Sequence, residues 1–130
     1  MHTQMKNIIY NDGVISEYAE TIPVFWSQQD SSAVCPVQGF MRYIVNDDYV
    51  EMKQIFVRED TRRKGVSSKL FKYFESEVKK LGLKKIVIKA YFGPEQRENP
   101  FYKFLLARKY KYLYENTVPQ GEVFEWEKTV

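Results

Sequence analysis

The sequence predicts an α/β chain in which a central mixed β-sheet is flanked by helices. Three observations carry that expectation. Two adjacent strand-like runs, Val37–Val45 (VQGFMRYIV) and Tyr49–Val57 (YVEMKQIFV), meet at Asn46-Asp47-Asp48 and read as a hairpin. The apolar period then lengthens, with Leu70, Phe71, Phe74, Val78 and Leu81 at helical spacing. After Gly82 comes a β-branched run, Lys84–Tyr91 (KKIVIKAY), which completes a strand–helix–strand unit whose strands are expected to be parallel.

The remaining elements rest on local signals. Residues 5–10 (MKNIIY) suit a short first strand. Residues 13–33 have weak periodicity, interrupted by Pro23, and receive no element; Gln28–Ser32 reads as a loop. The first helix is expected over Ser67–Leu81, with Gly82 as its C-terminal cap. Beyond a loop at Phe92–Glu98, Asn99 suits an N-cap and Pro100 the first position of a short helix ending near Ala107. Two last strands, near Tyr110–Glu115 and Val123–Lys128, flank a Pro-Gln-Gly turn. No repeat, low-complexity tract or linker divides the chain, so residues 1–130 read as one domain with a core for ligand binding at about 49–109.

Composition narrows the function classes. With 44% hydrophobic and 16% aromatic residues among 130, the chain can bury a core, which excludes disorder. No stretch approaches the ~20 apolar residues of a membrane span. The opening MHTQMKNIIYNDG has no apolar signal core, so a cytoplasmic location without membrane partners is expected. One Cys (Cys35) and one His (His2) make neither an internal disulfide nor a Cys/His metal set, and no metal is expected. Cys35 lacks a partner base, which argues against a cysteine nucleophile. Trp26 and Trp126 read as packing residues, the alternative for Trp26 being the lining of an acceptor site. Charge is polarised: residues 1–57 carry three basic and seven acidic groups, and residues 58–130 carry 17 and 10. The second half therefore suits an anionic ligand, the plainer alternative being a solvated basic helix face.

Ile55–Leu70 (IFVREDTRRKGVSSKL) is the segment that carries chemistry. A strand ends, a basic loop with one glycine comes next, and a helix begins at small residues. The first turn of a helix presents N–H groups with no intrahelical partner and about half a positive charge, so this arrangement cradles an anion. Gly65 lets the backbone approach the ligand, Ser67 and Ser68 keep the entry narrow, and Arg62, Arg63 and Lys64 add mobile positive charge. A pyrophosphate fits. There is no Gly-Lys-Ser/Thr triplet and no three-glycine fingerprint, so ATP and NAD are poor candidates.

In this setting Arg62-Arg63-Lys64-Gly65-Val66-Ser67 resembles the acetyl-CoA signature of the Gcn5-related N-acetyltransferases, the GNAT superfamily. That signature reads Arg/Gln-x-x-Gly-x-Gly/Ala after a strand, and Ser67 replaces the last small residue. The resemblance runs over about residues 37–130. It implies the GNAT-like acyltransferase fold, acetyl-CoA as acetyl donor and an amine as acceptor. It also implies that backbone groups of Phe56 and Val57 hold the pantetheine arm as an added strand, and that the N–H groups from Arg63 to Ser68 (Arg63, Lys64, Gly65, Val66, Ser67, Ser68) hold the pyrophosphate. The thioester would lie between diverging strands 49–57 and 84–91, its carbonyl polarised by a backbone N–H near Val57.

The same resemblance supplies candidates for proton transfer. Glu51 is the candidate general base; strand alternation puts it on a face with Lys53, Ile55 and Val57, and the alternative is a surface Glu paired with Arg42. Tyr102, in Phe101-Tyr102-Lys103-Phe104-Leu105-Leu106-Ala107, is the candidate acid, with Leu106 and Ala107 where the family has Gly-Phe; the alternative is a packing Tyr. Asn99 is either a CoA contact or a plain N-cap. Residues 11–36 are short and poorly helical for an acceptor wall, which favours a large acceptor such as a protein lysine or N-terminus over a small molecule. The alternative function is a CoA-binding or protein-interaction module of the same fold. Nucleic-acid binding is disfavoured because the basic residues gather at the cradle. An exposed last strand would allow a homodimer.

Overall fold

The computed structural model describes residues 3–18, 37–62, 64–89, 98–118 and 121–130, with side chains except at 113–118 and 121–124. Among these residues lie seven strands, two α-helices and a 3-10 turn (Glu59–Thr61): β1 (Gln4–Asn11), β2 (Val14–Tyr18), β3 (Gly39–Val45), β4 (Val50–Val57), α1 (Val66–Lys80), β5 (Lys85–Lys89), α2 (Pro100–Ala107), β6 (Lys111–Val118) and β7 (Gly121–Thr129). The strands form one sheet in the order β2-β1-β3-β4-β5-β7-β6. Every neighbouring pair is antiparallel except β4–β5, which is parallel as expected for the strand–helix–strand unit. The mixed α/β architecture read from the sequence is the one observed.

One strand lies outside the sequence expectation. Asp12 (φ 48°) and Gly13 (φ 86°) turn the chain through two left-handed residues, and Val14–Tyr18 returns antiparallel to β1. The Asp-Gly pair is the signal for this hairpin, but VISEY lies at the sheet edge, exposed or half-buried, so its alternation is faint. The rest of the unassigned stretch, residues 19–36 with Pro23, Trp26 and Cys35, lies outside the described residues.

Helix α1 starts at Val66, one residue before the expected Ser67, and buries Val66, Leu70, Phe71, Phe74 and Val78 on one stripe. It ends at Gly82 (φ 79°), where Gly82 N–H donates to the Lys79 carbonyl and Leu83 N–H to the Val78 carbonyl, so both residues beyond the end return to the last turn. Both helices cover the same face of the sheet. Phe71 packs its ring at 6.1 Å from Phe101 and 5.2 Å from Phe104, over a floor of Met41, Tyr43, Val50, Met52, Ile86, Ile88 and Trp126. The opposite face carries a smaller cluster of Val37, Phe40 and Phe56 with Ile9 and Tyr18.

A buried ion cluster ties the helical layer together. The Glu75 carboxylate, on α1, accepts from Arg108 Nη2 (2.8 Å), the Tyr110 hydroxyl (2.8 Å) and Lys128 Nζ (3.2 Å). These donors come from the α2–β6 turn, the residue before β6, and β7. Burial opposes ionisation of Glu75, but the hydrogen bonds from Arg108 and Tyr110 outweigh it and hold the carboxyl below its usual range. Burial and the adjacent carboxylate push the Tyr110 phenol far up, so it remains a donor.

Two irregularities of β4 shape the cleft beside it. Arg42 pairs with Gln54 but Tyr43 pairs with Met52, so Lys53 is an extra residue, a β-bulge. The bulge corrects the expectation that Glu51 shares a face with Ile55 and Val57. Val50 and Met52 face the helices, and so do Ile55 and Val57; Glu51, Gln54 and Phe56 face the other way. In addition, β4 is in register with β5 only from Val50 to Met52, opposite Ile86 to Ile88. Past Met52 no further pairing of the two strands occurs among the described residues.

Candidate active site

The parting of β4 from β5 leaves backbone groups directed into a cleft. Arg58 N–H donates to the Gln38 carbonyl at 2.8 Å, so the neighbouring pair Val57–Gly39 is of the antiparallel type that exchanges no hydrogen bonds. The N–H and C=O of Val57 therefore point away from β3, and alternation gives Ile55 the same orientation. Phe56 turns its own N–H and C=O towards β3. The strand edge available to an added chain is thus that of Ile55 and Val57, which corrects the assignment of Phe56 backbone to that role.

This edge borders a cavity of about 800 Å³. Ile55, Phe56 and Val57 line one side, Thr61 and Arg62 the connecting loop, Gly65, Val66, Ser67 and Ser68 the start of α1, and Asn99, Pro100, Phe101 and Phe104 the start of α2. Gly65 is the N-cap of α1 at φ 76°, makes no side-chain cap bond, and is followed by no acidic residue in the first turn. The first intrahelical donor is Lys69, to the Gly65 carbonyl at 3.1 Å, so the N–H groups of Val66, Ser67 and Ser68 belong to the open end of the helix. A Cβ on Gly65 would meet no atom within 4 Å, because that side of the residue is open space.

Several further contacts hold this loop in place, most of them from residues without a site signal in the sequence. Gly39 lets α1 approach the sheet: a Cβ there would lie 3.1 Å from Val66 Cγ1 and 3.2 Å from the Phe56 carbonyl oxygen. Thr61 is buried, and its hydroxyl reaches the carbonyls of Arg58 (2.8 Å) and Gln38 (3.1 Å). Gln38 in turn accepts from Asp12 N–H at 2.6 Å, which fastens the loop to the β1–β2 turn. Arg62 Nε donates to the Val57 carbonyl at 3.0 Å. Asp60 is held below the usual carboxylate range chiefly by its hydrogen bonds from Arg58. Arg62 belongs to the basic loop singled out in the sequence; of the others, Gly39 alone stands out there, as a glycine within a strand pattern.

Of the residues expected to hold the ligand, Phe56, Val57, Arg62, Gly65, Val66, Ser67, Ser68 and Asn99 meet at this one cavity. Lys64 is exposed beside it and is not part of the lining; Arg63 lies outside the described residues. The Asn99 side-chain oxygen accepts from Phe101 N–H at 2.8 Å, so its capping role is observed, and its amide NH₂ takes no part in that bond. A family model described as the acetyltransferase (GNAT) family matches residues 7–105. The chain belongs to the GNAT acetyltransferase family.

Solved structures agree on the fold of this GNAT chain. An acetyltransferase from Bacillus cereus superposes with a TM-score of 0.64 at 14% identity, covering 98% of this chain and 74% of its own. The ribosomal-protein-S18-alanine N-acetyltransferase from Escherichia coli gives 0.59 at 13% identity over 72% of this chain and 62% of its own. A PaiA N-acetyltransferase from Thermoplasma acidophilum, solved with coenzyme A, gives 0.57 at 17% identity over 72% and 54%. No curated protein sequence matches the chain.

The two candidates for proton transfer stand apart from the cavity. Glu51 is buried on the face away from the helices, and its carboxylate accepts from Lys53 Nζ at 3.1 Å. Arg42, the alternative partner, instead donates from Nε to Asn7 Oδ1 at 3.1 Å. Tyr102 is half-buried on the helical face, with its ring edge-on to Trp126 at 4.9 Å and to Tyr112 at 6.2 Å. Neither lines the cavity. Both nevertheless lie near the point where β4 and β5 part: Glu51 is next to Met52, and Trp126 pairs with Ile88, the last β5 residue in register with β4.

Proposed function

We propose that this GNAT-family chain is an N-acetyltransferase that transfers an acetyl group from acetyl-CoA to a primary amine on a small molecule, a protein lysine or an N-terminus. The observation that carries the proposal is the strand edge of Ile55 and Val57, which no described strand pairs, running into the start of α1, which no side chain caps. A thioester arm with amide groups and a diphosphate needs those two features in that order: strand-edge donors and acceptors, then a helix N-terminus. The apolar walls at Phe101 and Phe104 suit the methylene segments between.

Bound acetyl-CoA would supply an activated acyl thioester, and the overall reaction joins the amine nitrogen to the acyl carbon and releases the CoA thiol. Ile55 and Val57 would hold the arm by backbone bonds, and the first-turn N–H groups of α1 would hold the diphosphate. Arg62, Arg63 and Lys64 would add positive charge, and the Asn99 NH₂ would donate at the other wall. The bulge at Lys53 turns Glu51 to the face opposite the helices, so the acceptor would approach from that face. There Glu51 would remove the ammonium proton, directly or through water. Tyr102 lies on the helical face, the side from which the ligand arm enters, and would return a proton to the leaving thiolate. Acid and base thus act from opposite sides of the sheet.

Calorimetry with acetyl-CoA on the wild type and Gly65→Glu is the first test. The new carboxylate would occupy the open space at the cradle, and binding should fall by more than 100-fold in a folded protein. An acceptor screen read by release of CoA thiol then compares the wild type with Glu51→Gln and Tyr102→Phe, each expected to lower kcat by about 10²-fold or more. The ion pair between Glu51 and Lys53 favours a second reading, a CoA-binding module without turnover. Acetyl-CoA binding with no acetylation of any amine class would support that reading. No binding at millimolar acetyl-CoA would refute both.

A further inference from the structure

The Arg62–Val57 contact bears on which thioesters the cavity accepts. Val57 C=O is one of the acceptors on the β4 edge that β5 leaves unpaired, and Arg62 Nε already donates to it at 3.0 Å. An incoming arm that pairs with β4 would compete with Arg62 for that carbonyl. Arg62 is exposed, and it lines the same cavity as Gly65, Ser67 and Ser68. We propose that Arg62 makes the site selective for thioesters that carry a diphosphate, by holding the strand edge closed until an anion draws the guanidinium away. This rests on the acetyl-CoA reading above and deepens it.

The physical basis is an exchange of acceptors. A neutral acyl-pantetheine that pairs with Val57 displaces Arg62 and offers the guanidinium nothing in return. A thioester joined to a diphosphate offers oxygens that an Arg fork binds more strongly than a carbonyl. The nucleotide half therefore assists binding of the pantetheine half through Arg62, beyond simple tethering. Coupling of this kind is reciprocal, so each half tightens the other by the same factor.

Calorimetry with S-acetylpantetheine, 3′-phospho-ADP and acetyl-CoA, on the wild type and Arg62→Ala, tests the idea. Removing one competing hydrogen bond should tighten S-acetylpantetheine about 3- to 10-fold in the variant, while acetyl-CoA weakens about tenfold. In the wild type, saturating 3′-phospho-ADP should tighten S-acetylpantetheine by a similar 3- to 10-fold, and in Arg62→Ala that gain should vanish. A role for Arg62 as mere positive charge would weaken acetyl-CoA and leave S-acetylpantetheine unchanged in the variant. That result overturns the proposal while the acetyl-CoA reading stands. Absence of coupling between the two halves in the wild type overturns it without recourse to any variant. A wild type that binds no acetyl-CoA overturns both.

Discussion

Replacing Glu75 by Gln removes the carboxylate on which three donors converge, and its cost can be worked from the geometry. Arg108, Tyr110 and Lys128 lie 2.8, 2.8 and 3.2 Å from its oxygens. The Glu75 side chain is 11% exposed, and those of Arg108 and Lys128 are 23% and 18% exposed, so the cluster is mostly dry. A hydrogen bond to a charged group contributes about 1.5–3 kcal/mol, and losing one partner of a buried ion pair costs about 3–5 kcal/mol. Tyr110 can still donate to the amide oxygen, and both cations keep some water contact, so the loss should be about 3 kcal/mol at pH 7. With a urea slope of about 2 kcal/mol/M, the midpoint should fall by about 1.5 M. The pH dependence has a definite sign. Because the folded Glu75 carboxyl titrates below its unfolded value, its stabilisation is present above the unfolded pKa and is lost as pH falls through the folded one. Urea unfolding at pH 7, 5 and 4 should show a gap between wild type and variant that is widest at pH 7 and closes on acidification. A loss below about 1 kcal/mol at pH 7, or a gap that widens towards acid, would refute the assignment of Glu75 as a paired carboxylate.

Gly39→Ala would place a Cβ 3.1 Å from Val66 Cγ1 and 3.2 Å from the Phe56 carbonyl oxygen, so the start of α1 must shift. Stability should drop by about 1–2 kcal/mol, and acetyl-CoA affinity should fall 3- to 10-fold by calorimetry; unchanged affinity would show that the cradle tolerates the shift. Asn99→Asp keeps the oxygen that caps α2 but exchanges the NH₂ donor for charge. Thermal unfolding should move by less than about 0.5 kcal/mol while acetyl-CoA binding weakens, whereas Asn99→Ala should lose about 1 kcal/mol of stability as well. Equal effects of Asp and Ala on stability would refute the capping role.

The cradle is legible in the sequence because its parts are local. Strand end, basic loop, Gly65 and small helix-starting residues are adjacent in the chain, and the N-terminus of a helix presents its N–H groups whatever the tertiary context. Asn99-Pro100 and Gly82 are legible for the same reason, since caps are set by neighbouring residues. The Asp12-Gly13 turn has a signal of equal strength, but the strand it leads into is a short edge strand without a clean buried face, and periodicity does not reveal it.

The amino-acid sequence by itself determined the class of fold, the parallel β4–β5 unit and the segment proposed to receive an anion. The tertiary structure decided what depends on neighbours distant in sequence. A single bulge at Lys53, visible only in the register of β4 against β3, moved Glu51 to the face opposite Ile55 and Val57. Which backbone groups of β4 point away from β3 was decided by the register with that strand, and where the β4–β5 register ends was decided on the other side. The Glu75 cluster joins residues 33, 35 and 53 positions apart along the chain. Period and capping are written in consecutive residues, whereas register, strand divergence and buried charge pairing arise only when separate segments meet.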